Sequence, residues 1–542
     1  MSNSIDDVAD QAAAYFVIGS NTTEQHPVIG MRLRQAVKQR NAVLIVADPR
    51  RIPLVEFATL HLQQKPGTDV ALVNGLMNII LANDWQDQAF ITERTEGFDE
   101  FKAVVDQYPP DKVSAITGIP VEQLHQAAEL MAQNKPMAVL WAMGITQHIT
   151  GVRNVMSLAN LQMVLGNMGI PGGGVNPLRG QNNVQGACDM GGLPNVFPAY
   201  QNVTNEENRK KFETAWGTSL SGKIGMTATE MIPGILDGKV HALYILGEDP
   251  IMSDPDTHHI RRCLDECDFI VLQEIFPSET SPYADVLLPG TTFVEKSGTF
   301  TSTERRIQLV RQAIEPLGDS RPDWQIIIAV AKRLANNLAI ASSAPFAGWE
   351  YDSPNAIMQE IAALTPSYAG VNYARLEHGE TLQWPVKDIT HPGTPILHIG
   401  KFTRGLGKFM PIEDVPPAEN PNAEYPMVLS TGRVLYHWHG GEMTRRSKGL
   451  LAIYPKPLIE VNADDAERLG VNGNRRVRVT SRRGSIEAEA WVTDRVPPGM
   501  VYANFHFPEA SVNELTIAAL DPVSKIPEYK VCAVKVELVQ NS

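Results

Sequence analysis

Two stretches of this chain repeat one order of elements, and that repeat constrains the fold more than any other feature. Residues Ala12 to Ile18 form an unbroken apolar run closed by Gly19-Ser20-Asn21. From His26 to Arg40 the pattern is amphipathic, with Ile29, Leu33, Ala36 and Val37 at helical spacing. The run Ala42 to Ala47 follows and ends in Asp48-Pro49-Arg50. Strands buried on both faces read this way, continuous rather than alternating, so the segment predicts a βαβ unit in a parallel sheet. The order returns later: Ala242 to Leu246 ending at Gly247-Glu248-Asp249-Pro250, a helical stretch around Thr257 to Leu264, then the strand Phe269 to Leu272. Both copies continue to a Pro-Gly-Thr, at 66–68 and at 289–291, which favours internal duplication over coincidence. Open α/β sheets bind ligands beyond the carboxyl ends of their strands. Two such half-sites suggest two similar ligands or one large pseudo-symmetric one. Neither copy has the G-x-G-x-x-G that brings a pyrophosphate onto a helix N-terminus, so a simple NAD-binding domain is disfavoured.

After these units the segment Met410 to Pro426 carries five prolines and four acids in 17 residues, a linker signature. Beyond it short strand patterns dominate, at Met427–Ser430, Leu458–Val461, Arg476–Thr480, Ile486–Val492, Val501–Phe505 and Val531–Leu538, and predict a small β-barrel. The expected organisation is an α/β chain with a Rossmann-like domain over 1–181, a second over 182–408, a linker over 409–423 and a C-terminal barrel over 424–542. Composition narrows the function. A net charge of −14 disfavours a nucleic-acid partner. Four cysteines without a CxxC encode neither a disulfide scaffold, nor a structural zinc, nor an iron–sulfur cluster. The longest apolar stretch, Pro136 to Ile145, is far short of the roughly 20 residues of a membrane span. The acidic, polar start is unlike a signal peptide, so a soluble cytoplasmic protein is expected.

The densest candidate for chemistry is Gly172 to Gly192, rich in glycine and amides. Such a loop brings backbone close to a ligand and offers many neutral donors and acceptors. Its one cation, Arg179, is a permanently charged fork suited to a carboxylate or phosphate. Asp48 and Asp69 each follow a strand and can accept from a ribose hydroxyl or a guanine, although a turn or helix-cap role explains either alone. His26, before Pro27, reads equally as a helix-start residue. In TGRVLYHWHGG, His437 and His439 share a face with Arg433 nearby if the segment is a strand, but no third metal ligand is placed beside them. Arg445-Arg446 and Arg482-Arg483 read as solvated faces. No G-x-S-x-G, HExxH or Walker loop is present. The residues describe a large ligand cradle with one anion-binding arginine.

At NPLRGQNNVQGACDMG (176–191) the chain resembles the catalytic subunit of molybdenum/tungsten formate dehydrogenases in the DMSO-reductase superfamily. The likeness extends through IGSNTTEQHP (18–27), ADPR (47–50), RTEGFDEF (94–101), WAMGITQ (141–147), LGEDP (246–250), STGR (430–433) and PEYKVCAV (527–534). It implies a bis-molybdopterin guanine dinucleotide cofactor carrying Mo or W, one half in each Rossmann-like domain, closed by a double-psi type barrel. It carries cofactor-binding roles onto Asn21, Glu24, Asp48, Arg50 and Asp69 in the first half. In the second half it carries them onto Gly247, Glu248, Asp249 and Gln273. From the barrel it implies Arg433, His437, His439, Asn513 and Lys530. Met143, Gly144 and Gln147 are expected beside the metal. Arg179 is expected to hold formate, with Gly180 and Gln181 touching the cofactor.

Family members also carry an upstream 4Fe–4S domain and a cysteine or selenocysteine followed by histidine at the metal, and none of these is in residues 1–542. No metal ligand is therefore assigned in this chain. The chain resembles the C-terminal three-quarters of such a subunit, as a selenocysteine UGA codon read as stop with a restart at Met1, a split gene or a truncation would produce. The expectation is formate/CO2 interconversion, with electrons passing to a diaphorase, ferredoxin-like or hydrogenase partner. A non-catalytic cofactor-binding fragment and a nitrate reductase are the alternatives. A further expectation is that the 182–408 sheet is completed from upstream, leaving residues 1–542 poorly soluble and low in molybdenum, while the barrel alone folds better.

Overall fold

The computed structural model describes residues 1–337, 344–472 and 475–540. They form two compact units, one of Met1–Gly180, Pro250–Arg262 and Ile396–Ser542, the other of Gln181–Asp249 and Cys263–Pro395.

In the first unit, strand β1 (Ala14–Ile18) leads through a short helix α1 (Thr22–Gln25) and helix α2 (Pro27–Arg40) to β2 (Val43–Ala47). Strands β3 (Leu60–Leu62), β4 (Met137–Trp141) and β5 (Val175–Pro177) complete a five-stranded parallel sheet in the order β3-β2-β1-β4-β5. Successive side chains point to opposite faces, and both faces are covered. Ala14, Phe16 and Ile18 enter one core with Ile45, Val139 and Leu76, while Tyr15 and Val17 enter another with Leu44, Leu140 and Leu33. That double burial is why the strand sequences show no alternation. Helix α3 (Asp69–Ala82) is buried along most of its length in the first of these cores.

The same unit contains a closed barrel of six strands: β9 (Met427–Gly432), β10 (Leu458–Val461), β11 (Arg476–Thr480), β12 (Ser485–Val492), β13 (Met500–Asn504) and β14 (Cys532–Leu538). Its order, β9-β13-β10-β12-β11-β14, mixes parallel and antiparallel pairs, so closure leaves no free edge. The proline-rich stretch before β9 has no helix or strand but is tied down. Asn74 donates to the Ile412 carbonyl at 2.8 Å, the Ala418 N–H reaches Glu528 at 2.9 Å, and Pro417 fills the space beside Gly67.

The second unit holds a three-stranded parallel sheet, β6 (Ala242–Leu246), β7 (Phe269–Glu274) and β8 (Val286–Pro289), in the order β8-β7-β6. Leu272 and Ile270 are buried on one face, whereas Tyr244, Leu246, Phe269 and Val286 on the other are exposed. The glycine-rich stretch after β5, expected as open loop, forms a short helix, α5 (Val184–Asp189), in this unit. Asp189 explains the helix: its buried carboxylate accepts from Tyr368 at 2.7 Å, Tyr200 at 2.9 Å and Gln185 at 2.8 Å, contacts invisible to local periodicity.

Candidate functional site

A cleft opens at the carboxyl ends of β1, β2 and β4, where the turns Gly19–Asn21, Asp48–Arg50 and Met143–Gly144 converge, and Ser430–Gly432, Tyr502 and Lys530 of the barrel region close it. The backbones meet tightly. The Gly144 N–H donates to the Gly19 carbonyl at 3.1 Å, and Gly19, at φ +56°, leaves only 2.8 Å between a would-be Cβ and the Gly144 carbonyl carbon. A side chain at either position would push the two turns apart.

Charge is concentrated here. The Asp48 carboxylate accepts from the Arg50 backbone N–H at 2.9 Å, and burial pushes its pKa up to about 6 against that bond. Arg50 turns its guanidinium away, with Nη2 at 2.7 and 2.9 Å from the two Glu460 oxygens and the central carbon 3.4 Å from the Tyr502 ring centre. Glu24 accepts from Arg495 at 2.8 Å, and Arg495 also lies 3.6 Å from Glu460. Lys530 donates to the Thr431 carbonyl at 2.6 Å; burial, aided by Arg433, draws its pKa down to about 7. Asp69 opens α3 and accepts from Gln64 at 3.2 Å; burial raises its pKa, and nearby His148 opposes that.

Met143 and Gly144 line the cleft, and Gln147 caps the four-residue helix α4 (Met143–Thr146). The Arg179 carbonyl accepts from His26 Nε2 at 2.8 Å. Gly180 lies against Arg433, whose Nη2 is 2.6 Å from where a Cβ would stand. Arg433 donates to His439 Nε2 at 3.2 Å, and burial together with Arg433 holds the His439 pKa down at about 3. His437 and His439 lie in a loop and not on a strand face, because His439 takes the left-handed conformation at φ 45°. His437 spends Nε2 on the Tyr454 carbonyl at 2.7 Å. The Asn513 amide donates to the Met252 carbonyl at 2.7 Å. In the second unit Gly247 turns at φ +62° after β6, and Asp249 accepts from the Glu279 N–H at 3.1 Å and the Thr280 hydroxyl at 2.5 Å. There Gln273 donates to Asp323 at 2.8 Å, while Glu248 and Gln181 lie in the turns after β6 and before α5.

Tyr502, Glu460, Arg495, Gln64 and His148 belong to this neighbourhood without having been anticipated. Only Glu460 left a trace, a charge inside the apolar run Leu458–Val461. Among the described residues no group of three or more His, Cys, Asp or Glu side chains could hold a metal ion. A polar ligand does fit the cleft: Asn21 lines it, and both amide atoms of Asn21, with Ser20 Oγ beside them, are buried without a protein partner. Buried polar groups in that state await a partner.

Residues 1–333 match the family described as Molybdopterin oxidoreductase, and residues 427–533 the Molydopterin dinucleotide binding domain. F420-dependent formate dehydrogenase subunit alpha of Methanocaldococcus jannaschii is 45% identical over 542 residues, covering 99% of this chain and 78% of that protein. Formate dehydrogenase H of Escherichia coli is 38% identical, covering 99% and 74% respectively. Acetylene hydratase from Pelobacter acetylenicus shares the fold, with a TM-score of 0.72 at 18% identity over 98% of this chain and 80% of that one. With a parallel-sheet cleft, a barrel closing it and these matches along its length, the chain belongs to the molybdopterin oxidoreductase family.

Proposed function

We propose that this chain is the catalytic-subunit portion of a formate dehydrogenase or CO2 reductase. The observation that carries this reading is its 45% identity to a formate dehydrogenase alpha subunit over 99% of its length. Bound molybdopterin with Mo or W supplies two-electron redox chemistry, converting formate to CO2, a proton and two electrons. This chain binds and orients. Asn21, Asp48 and Asp69 receive one guanine dinucleotide at the carboxyl ends of the first sheet, Lys530 and Arg433 offset its anionic groups, and Gly247, Glu248, Asp249 and Gln273 receive the other. Met143, Gly144 and Gln147 would lie beside the metal, Gly180 and Gln181 would touch the cofactor, and His437, His439 and Asn513 would close over the pterins.

Arg179 holds the formate carboxylate as a two-pronged donor and aims its C–H bond, which is positioning and charge stabilisation. By the family likeness, electrons leave through a 4Fe–4S cluster outside residues 1–542 and pass to electron-transfer subunits of diaphorase, ferredoxin-like or hydrogenase type. No helix among the described residues is long and apolar enough to cross a membrane.

Arg179→Lys tests the assignment. Replacing a fork by a point charge should lower kcat/KM for formate at least about 30-fold, on the order of 2 kcal/mol. An unchanged kcat/KM at full cofactor content would remove Arg179 from the reaction.

A further inference from the structure

We propose that His26 is the positioning residue of Arg179, clamping the backbone from which the formate-binding side chain projects. The inference rests on the formate dehydrogenase reading for its substrate and on this geometry for everything else. The His26 Nε2 and the Arg179 carbonyl oxygen are 2.8 Å apart across 153 residues of sequence. A carbonyl only accepts, so Nε2 carries the hydrogen and His26 is in the tautomer that donates there.

His26 itself has little freedom. It is the break between α1 and α2, at φ −137° and ψ 60°, with its N–H on the Thr22 carbonyl at 3.0 Å and its carbonyl accepting from Gly30 at 3.0 Å. Gly30 permits this turn, since a Cβ there would stand 2.9 Å from the Thr22 oxygen. Pro27, as the first residue of α2, needs no hydrogen-bond partner for its nitrogen and carries a ring suited to a helix start. The histidine is thus aimed by its backbone.

The segment it grips is held on either side of the grip. Leu178 is buried and donates to the Trp141 carbonyl at 2.8 Å, continuing the β5 pairing by one residue. Gly180 is pressed by the Arg433 guanidinium, 2.6 Å from where its Cβ would be. Between these two restraints the chain has left the sheet, and there His26 holds the Arg179 carbonyl. Burial, with Arg433 nearby, keeps the His26 pKa below its ordinary value, so the ring donates as a neutral group and adds no charge to compete for a carboxylate. The misplacement of a substrate-holding group by about 1 Å is enough to cost a large factor in rate.

The test compares His26→Leu, which removes the donor, with His26→Gln, whose amide can reach the same carbonyl, in the cofactor-loaded protein. Three quantities are read: cofactor content, the KM and kcat for formate, and amide hydrogen exchange at Leu178, Arg179 and Gly180. His26→Leu should retain cofactor, raise KM about 10-fold with a smaller change in kcat, and speed exchange at these amides about 10-fold, while His26→Gln restores both. Unchanged KM and exchange in His26→Leu overturn the proposal. So does a loss of cofactor in proportion to the lost activity, which would make His26 part of the cofactor cradle. If Arg179→Lys leaves formate turnover intact, the substrate reading fails, yet the exchange measurement still decides whether His26 holds this segment.

Discussion

Lys530 and Asp48 face one cleft with opposite charges, and burial disfavours the charged form of both. For Lys530 the pKa of about 7 lies below its ordinary 10.5, so between those values the unfolded chain binds more protons than the folded one. Stability from this group therefore rises as pH increases from about 7 toward 10. For Asp48 the pKa of about 6 lies above its ordinary 3.8, and stability falls as pH rises through that window. In cofactor-free protein, Lys530→Met should flatten the gain in stability between pH 7 and pH 9, measured by urea denaturation at both values. A wild-type and variant slope of equal steepness would show that Lys530 keeps its proton in the empty cleft. An anionic ligand offsets the cost for Lys530 by pairing with its ammonium, so this lysine suits a bound dinucleotide.

The elements around the cleft are joined by charges that local sequence does not relate. Arg50, at the end of β2, and Glu460, in β10, are 6% and 5% exposed at the side chain, and Tyr502 of β13 stacks beneath the guanidinium. Glu24 of α1 joins the same cluster through Arg495. This clasp ties the parallel sheet to the barrel, and it engages two side chains, Glu24 and Arg50, that the family likeness assigns to the cofactor. Glu460→Gln leaves a buried guanidinium without its counter-charge and should cost about 3–5 kcal/mol. Arg50→Met combined with Glu460→Met should cost far less, because replacing a buried pair by apolar groups of similar volume is often near neutral. Chemical denaturation of the single and double variants checks this. A loss in the double variant as large as the losses of the two single variants added together would mean that the pair is not coupled.

At the scale of the molecule, the two units differ in how their sheets are covered. The five-stranded sheet has a core on each face, whereas the three-stranded sheet of the second unit exposes Phe269 (45%), Tyr244 (43%), Leu246 (46%) and Val286 (37%) on one face. A contiguous apolar patch on a parallel sheet is an association surface, since both faces of such sheets are ordinarily buried. Phe269→Thr with Val286→Thr should reduce self-association of this chain in sedimentation or light scattering. Its unfolding free energy should shift by no more than about 0.5 kcal/mol per substitution, as for surface positions. A variant that associates as strongly as the parent would place the sticky surface elsewhere.

How much was legible in the sequence follows from the distance over which each feature is decided. The strands Ala14–Ile18, Val43–Ala47 and Ala242–Leu246, the helix Pro27–Arg40 and all six barrel strands lie within a few residues of their expected places, because apolar runs and turn residues act locally. The turns that carry Asp48 and Gly247 were legible for the same reason, each being the end of a run. Contacts across the fold were not. Arg50 meets Glu460 over 410 residues, and His26 meets Arg179 over 153, through packing no window of sequence contains. His437 and His439 share a strand-like spacing, yet a left-handed backbone at His439 puts them in a loop. The sequence by itself determined the elements, their family and the glycine turns at which a ligand can approach. Only the tertiary structure decided which charges face the cleft and which are spent on one another, since burial and pairing are properties of neighbours in space.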